Sequence, residues 1–260
     1  MSFARGYVPR SLAFPAFVGL AFLILPLLAL IARVDWSTFV VDVTSPAALE
    51  ALGLSFATGA AATLACIVIG VPLALLIARS GPRLAAVLRA AVTVPLVLPP
   101  MVGGIALLYL FGRQGWLGGW GLSFTTPAVI VAQTFVALPF LVLAVEGAVR
   151  STGADFERTA AALGAGRWTI LRRITLPLAA PGIVAGVVLC FARAIGEFGA
   201  TALFAGNRPG VTQTMPLAIY TAFNGAGVTQ GTAVALALLL LATAVLVLML
   251  VRGWRPGAAR

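Results

Sequence analysis

Residues 157–177 read ERTAAALGAGRWTILRRITLP, a charged and glycine-punctuated segment between two long apolar runs. Asp155 and Glu157 head a helical stretch, Ala160, Ala161, Ala162 and Leu163 continue it with strong helix formers, and Gly164-Ala165-Gly166 breaks it. The spacing predicts a short helix lying on the face of whatever the flanking runs build. Two readings of the segment stand side by side. It is either an ordinary basic loop, or a surface offered to a soluble partner, with small residues admitting a groove and Arg167 and Trp168 at headgroup level.

The flanking runs settle what it is attached to. Hydrophobic residues make up 61% of the 260 residues, charged residues 9%, and mean hydropathy is +1.09. A soluble domain cannot bury that much apolar surface, because its exterior needs polar groups. Six apolar segments emerge, at 11–32, 51–78, 90–111, 127–145, 174–204 and 231–251. Each suits a helix of about 20 residues crossing about 30 Å of hydrocarbon, and lipid admits no unpaired backbone. The expectation is an all-α, polytopic membrane protein: one domain over residues 1–260, six spans, and a cytoplasmic loop at about 155–173. Pro26, Pro72, Pro95, Pro99, Pro100 and Pro139 predict kinked and partly unwound helices. The 11–32 segment, although preceded by Arg5 and Arg10, has too long an uncharged core for a signal peptide and no convincing cleavage site.

All 17 basic residues are arginine, and placing both termini in the cytoplasm puts thirteen of them inside: Arg5, Arg10, Arg79, Arg83, Arg89, Arg150, Arg158, Arg167, Arg172, Arg173, Arg252, Arg255 and Arg260. The net charge therefore reads as membrane orientation and not as a nucleic-acid surface. Histidine is absent, which removes imidazole metal sites and His-activated nucleophiles. Lysine is absent too, so the chain has no phosphate-loop lysine of its own. Cys66 and Cys190 stand singly in apolar runs and read as core residues. No catalytic residue and no metal site is expected.

Arg193 and Glu197 are the costliest residues in the chain, at about 2.5 to 3.5 kcal/mol each near a helix centre. Four apart, they share a helix face, either as a structural ion pair or as part of a translocation path or gate. Gly196, Gly199 and Ala200 beside them allow close helix approach. Gly206-Asn207-Arg208-Pro209-Gly210 is a strong turn in the last outer loop, which also holds Thr214 and Pro216. Met215 to Phe223 is apolar but too short to span, suiting a re-entrant or interfacial helix. Glu146 beside Arg150 reads as a surface pair.

The pattern Glu157-Arg158-Thr159-Ala160-Ala161-Ala162-Leu163-Gly164, with Ile174-Thr175-Leu176-Pro177 beyond it, resembles the EAA loop of ABC importer permeases. PLVLPPMVGG (Pro95 to Gly104), FGRQGWLG (Phe111 to Gly118), AQTFVALPF (Ala132 to Phe140), ARAIGEFGAT (Ala192 to Thr201) and AGNRPGVTQTMPLAIY (Ala205 to Tyr220) are similar to the molybdate/tungstate type of that family. The sulfate/thiosulfate type shares a GEFGA-like element and is the alternative. Thr159 departs from the alanine usual at its place.

The resemblance implies a type I ABC importer permease fold and a membrane subunit carrying molybdate or tungstate. Glu157, Ala160, Leu163, Gly164 and Ala165 would form the surface coupled to an ATPase, and Pro177 would restart the next span. It implies a homodimer in the bacterial or archaeal cytoplasmic membrane, an ATP-binding subunit dimer that binds ATP and Mg, and an extracytoplasmic substrate-binding protein. No cofactor is expected on this chain. A secondary transporter or channel fits less well, because intramembrane carboxylates and two related halves are not evident.

Overall fold

A computed structural model describes residues 10–225 and 230–253. Arg5, Arg255 and Arg260 of the orientation count, and the side chains of Arg10 and Arg252, lie outside what it describes.

The described chain is all helical. Helix α1 (Ala13–Ala32) and the short α2 (Phe39–Val43) precede α3 (Pro46–Arg79), α4 (Pro82–Val97), α5 (Pro100–Phe111) and α6 (Thr126–Ser151). Then come α7 (Asp155–Ala162), α8 (Arg167–Ile170), α9 (Leu176–Ile195), α10 (Gly199–Phe204), α11 (Met215–Phe223) and α12 (Gln230–Gly253). Sequence punctuation explains the starts. Ser45 and Thr125 cap α3 and α6 by accepting the N–H of Ala48 and Ala128, with Pro46 and Pro127 in the first turn where a missing N–H costs nothing.

Among the described residues, four helical runs are long and apolar enough to cross a membrane: Ala13–Ala32, Pro46–Arg79, Thr126–Ser151 and Arg167–Ile195. The expected span at 90–111 is instead a bent pair, α4 and α5, set 110° apart. Leu98 and Pro99 each precede a proline, which forces them out of the helical region and into extended backbone. The expected span at 174–204 also differs. It begins earlier, at Arg167, and ends at Ile195, with Gly196 to Phe198 separating it from α10. The last expected span, 231–251, falls within α12 (Gln230–Gly253).

Pro177 does not restart a helix. The run is continuous from Arg167, and one wide turn of π-helix at Leu171–Thr175, closed by Leu176 N–H on the Leu171 carbonyl, precedes the proline. A proline ring crowds the carbonyl four residues back, here Arg173, and the wide turn relieves that crowding.

The centre of the bundle is α3, α6 and α9, packed through small residues. Ala62, Cys66 and Ala74 of α3 meet Ala137, Leu141 and Val145 of α6, and Ala179, Cys190 and Ala194 of α9 complete the cluster. The two cysteines are unoxidised core residues, as their surroundings predicted. Gly182 and Gly186 of α9 lie against Ala148 and Ala144 of α6, so closely that a Cβ at Gly186 would come within 2.9 Å of the Ala144 methyl. Small residues at such contacts are how helices associate where lipid removes the hydrophobic drive. No residue of α1 is buried, and its large apolar side chains are mostly exposed, as suits a lipid-facing helix.

The two interrupted helices pack on each other. A Cβ at Gly104 of α5 would stand 2.9 Å from both the Cα and the carbonyl oxygen of Ala200 in α10, and one at Gly199 would stand 3.0 Å from the Pro100 Cβ. Overpacking here presses on backbone, so Gly104→Val is expected to destabilise the protein by about 3 kcal/mol, the upper end of the usual range. Thermal unfolding in detergent would reveal it as a clearly lowered midpoint. Gly19→Ala, where nothing lies within 4 Å of the added methyl, should leave the midpoint in place or raise it.

Candidate functional site

The α6–α9 connection is built from its own residues outward. Helix α7 stops in a Schellman motif: the Gly164 N–H bonds the Ala161 carbonyl at 3.0 Å and the Ala165 N–H bonds the Ala160 carbonyl at 3.0 Å. Gly164 has φ +89°, which an L side chain resists, although an added Cβ would meet open space. Glycine is therefore favoured by backbone shape, with asparagine the nearest substitute. Leu163, Gly164, Phe156 and Trp168 are exposed, with Leu163 at 84%. The Arg172 guanidinium lies over the Trp168 ring, 4.6 Å from its centroid.

Glu157 faces the other way. One of its oxygens, Oε1, pairs with Arg79 Nη2 at 2.5 Å and accepts the Thr175 hydroxyl at 2.7 Å. Arg79 ends α3 and Thr175 precedes α9, so the carboxylate fixes α7 to two long helices. Expected as part of an outward docking surface, Glu157 is a strut. Ala160 and Ala165 are half-buried behind the exposed residues. The loop expected at 155–173 is also shorter, because Arg167 already opens the next helix. A cavity of about 460 Å³ separates α7 from the bundle, lined by Leu75, Arg79, Glu157, Arg167 and Thr175 among others.

At the other end of α9, 26 residues and about 39 Å beyond Arg167 on a straight axis, stands the second cluster. Glu197 is not inside the helix, since α9 ends at Ile195. It still pairs with Arg193, Oε2 to Nη2 at 2.7 Å, and its Oε1 accepts the Ala200 N–H at 2.8 Å. With 1% side-chain exposure and both oxygens engaged, Glu197 holds the α9–α10 break together. Arg193 keeps 26% exposure, Gly196 is exposed, and Gly199 is buried against Pro100.

The loop before α11 is tightly folded. Asn207 is exposed, with its amide donating to Thr221 Oγ1 at 2.8 Å and its carbonyl accepting from Gln213 at 2.9 Å. Thr214 occupies the N-cap position of α11 but is fully buried, and Pro216 is half-buried in the first turn. The capping is supplied by α3, where Ser55 Oγ accepts the Met215 N–H at 2.7 Å.

Sequence reading missed three features. Glu146 is not a surface pair: its side chain is 5% exposed and is held by Arg150 on its own helix and by Arg89 on α4. Its position on the stripe Val142, Val145, Val149, all buried, is the signal that marks it as interior. Arg79 and Thr175 as partners of Glu157 had no local signal, being 78 and 18 residues away. Gln133 in α6 is fully buried, with neither amide atom hydrogen-bonded among the described residues.

A helical membrane domain with two interrupted helices packed together at one end, a small capped helix at the other, and no catalytic constellation among the described residues has the build of a transport permease. The chain belongs to the family described as binding-protein-dependent transport system inner membrane component, whose model matches residues 70–255. It is 53% identical over 219 residues to the molybdenum transport system permease protein ModB of Mycobacterium tuberculosis, covering 82% of this chain and 83% of that one. A probable molybdenum ABC transporter permease protein of Haloferax volcanii is 38% identical, over 91% of this chain and 87% of its own. Among solved structures, a bacterial ABC transporter importing the acidic polysaccharide alginate matches with a TM-score of 0.72 at 17% identity, over 94% of this chain and 93% of that one. The MetNI methionine ABC transporter matches at 0.65 and 21%, over 79% and 94%. The fold is thus that of the membrane subunit of a type I ABC importer.

Glu157→Gln removes the charge that fixes α7 while leaving a hydrogen-bonding side chain. A partly exposed pair of this kind contributes on the order of 1 kcal/mol. Amide exchange over residues 156–163 should therefore quicken about fivefold, with the core of α6 unaffected.

Proposed function

We propose that this chain is the membrane-spanning subunit of an ATP-driven importer of molybdate. The observation that carries the reading is the 53% identity, over four-fifths of each chain, to a molybdenum transport system permease protein. The capped helix α7 supports the rest of it. Its exposed edge, Phe156, Leu163 and Gly164, offers an apolar knob and a close backbone approach, and its buried edge is fixed to α3 and α9. A partner pressing on that edge moves two long helices together.

The partner would be a dimer of separate ATP-binding subunits, which bind ATP and Mg, facing a homodimer of this chain. An extracytoplasmic binding protein would deliver the ion to the end that holds Asn207 and the α9–α10 break. Both termini would lie in the cytoplasm, placing most arginines inside. Arg193, the partly exposed member of its pair, is the group suited to attract a dianion, and Glu197 positions it.

Cells lacking this gene and regaining it should recover molybdate accumulation, measured as cellular molybdenum at submicromolar supply. Recovery of sulfate uptake in place of molybdate would overturn the assignment. Gly164→Val, which forces a β-branched residue to positive φ, should lower stimulated ATP hydrolysis about tenfold for roughly 1–2 kcal/mol of backbone strain. Gly164→Asn, which tolerates that conformation, should retain most of it.

A further inference from the structure

Arg89, Glu146 and Arg150 form a charge triad that the importer reading above does not use. Arg89 Nε lies 3.2 and 3.3 Å from the two Glu146 oxygens, and its Nη2 lies 2.5 Å from Oε1. Arg150 Nε reaches the same Oε1 at 2.9 Å from one turn along α6. The two arginines are not equivalent. Arg150 balances the carboxylate from its own helix and makes one long contact, 3.5 Å, to the Ile77 carbonyl of α3, whereas Arg89 joins α4 to α6.

That join matters because the apolar hold on α4 is a narrow stripe. Ala85 is the one buried residue of its sixteen, one turn before Arg89, and Leu88 and Val92 pack half-buried against the core. A cavity of about 300 Å³ opens among Leu88, Val92, Pro95, Leu73 of α3 and Phe135 and Leu138 of α6. Beside that stripe, the guanidinium–carboxylate contact at a nearly buried acid is a strong, directional tie between α4 and α6. The two ends of the tie also lie at informative places. Glu146 is five residues before the end of α6, which leads directly into α7. Helix α4 leads through the Leu98–Pro99 break into α5, whose Gly104 abuts Ala200 of α10.

We propose that Arg89 is a positioning residue: its contact with Glu146 is the link by which a displacement of α7 and the end of α6 is passed to α4 and α5, and so to the α9–α10 break. Arg150 balances Glu146 from the same helix and has no contact with α4, so it carries no motion to α4 and α5. The proposal rests on α7 being the element that an ATPase moves.

The triad supplies its own control. Arg89→Gln cuts the link yet leaves Glu146 paired with Arg150, so no buried charge is stranded. Arg150→Gln removes a cation and leaves the link intact. In complexes with the ATPase in lipid nanodiscs, Arg89→Gln should lower the ratio of stimulated to basal ATP hydrolysis on the order of tenfold, within the span of measured couplings between sites. Arg150→Gln should keep the ratio near wild type, and Arg89→Lys, which reaches only one oxygen at a time, should fall between. Equal losses in the two glutamine variants would mean that charge balance alone matters, and would overturn the proposal.

A second arm needs no transported ion. Spin labels at Leu64 on α3 and Tyr109 on α5, both exposed, report whether ATP moves α5, and labels at Leu64 and at the exposed Arg158, off the docking edge, report whether it moves α7. In Arg89→Gln the Arg158 distance should still respond to ATP while the Tyr109 response is lost. A Tyr109 response that survives Arg89→Gln, or that is absent in the wild-type complex, would overturn the link. Failure of a molybdate-loaded binding protein to stimulate hydrolysis would instead count against molybdate as the ion, with the link still judged by the distances.

Discussion

The contact on which the architecture depends is the meeting of Gly104 with the backbone of Ala200. Two helices that cannot run straight, one interrupted by consecutive prolines and one by Gly196 to Phe198, are seated against each other through a glycine on each, Gly104 against Ala200 and Gly199 against Pro100. Each interruption frees backbone groups that hydrocarbon cannot satisfy. At the α9–α10 break Glu197 accepts the Ala200 N–H and Arg193 neutralises the acid, and after the α4–α5 break the Val102 and Gly103 N–H groups turn back to the Pro99 carbonyl. The rest of the bundle can then be ordinary: three long helices packed through alanine and glycine, with lipid-facing apolar side chains outside.

The same economy governs the charged groups. Three of the acids near or within the bundle, Glu146, Glu157 and Glu197, are each satisfied by an arginine. In every case the carboxylate also ties elements that are distant in sequence or separated by a break. Removing such groups from water is costly, and a single partner rarely compensates for it. A second one is present each time: Arg150, the Thr175 hydroxyl, or the Ala200 amide. These acids are joints of the scaffold. The exposed chemistry is left to arginines and to small apolar surfaces, which is what a subunit without catalytic work of its own requires.

Much of this was legible in the sequence, and the failures have physical reasons. Hydropathy identified the long spans because lipid imposes one length scale on them. The Ala-rich run ending at Gly164 announced α7 and its cap, since glycine is the residue that most readily takes the left-handed turn. Consecutive prolines announced an interruption near Pro99, but a hydropathy window joins α4 and α5 into one run and cannot report a 110° turn. Glu157 was assigned to the wrong face because its partners, Arg79 and Thr175, come from other helices. Glu146 was misread for a different reason. Its four-residue spacing from Arg150 matched a familiar surface pair, and the valine stripe around it was the stronger signal.

The wide turn at Leu171–Thr175 has a consequence that reaches beyond accommodating Pro177. A turn of π-helix holds one residue more than an α-turn, so it offsets the angular register of everything before it by about 100° relative to everything after. The faces that Arg167 and Trp168 present, and through the Gly164 cap the azimuth of α7, are thereby set independently of the faces with which α9 packs on α3 and α6. Deleting one residue here would regularise the helix and at the same time swing the α7 end about a quarter turn out of phase with the packed core. The irregular turn is thus a fixed phase offset, which lets one continuous helix satisfy two unrelated orientations at its two ends.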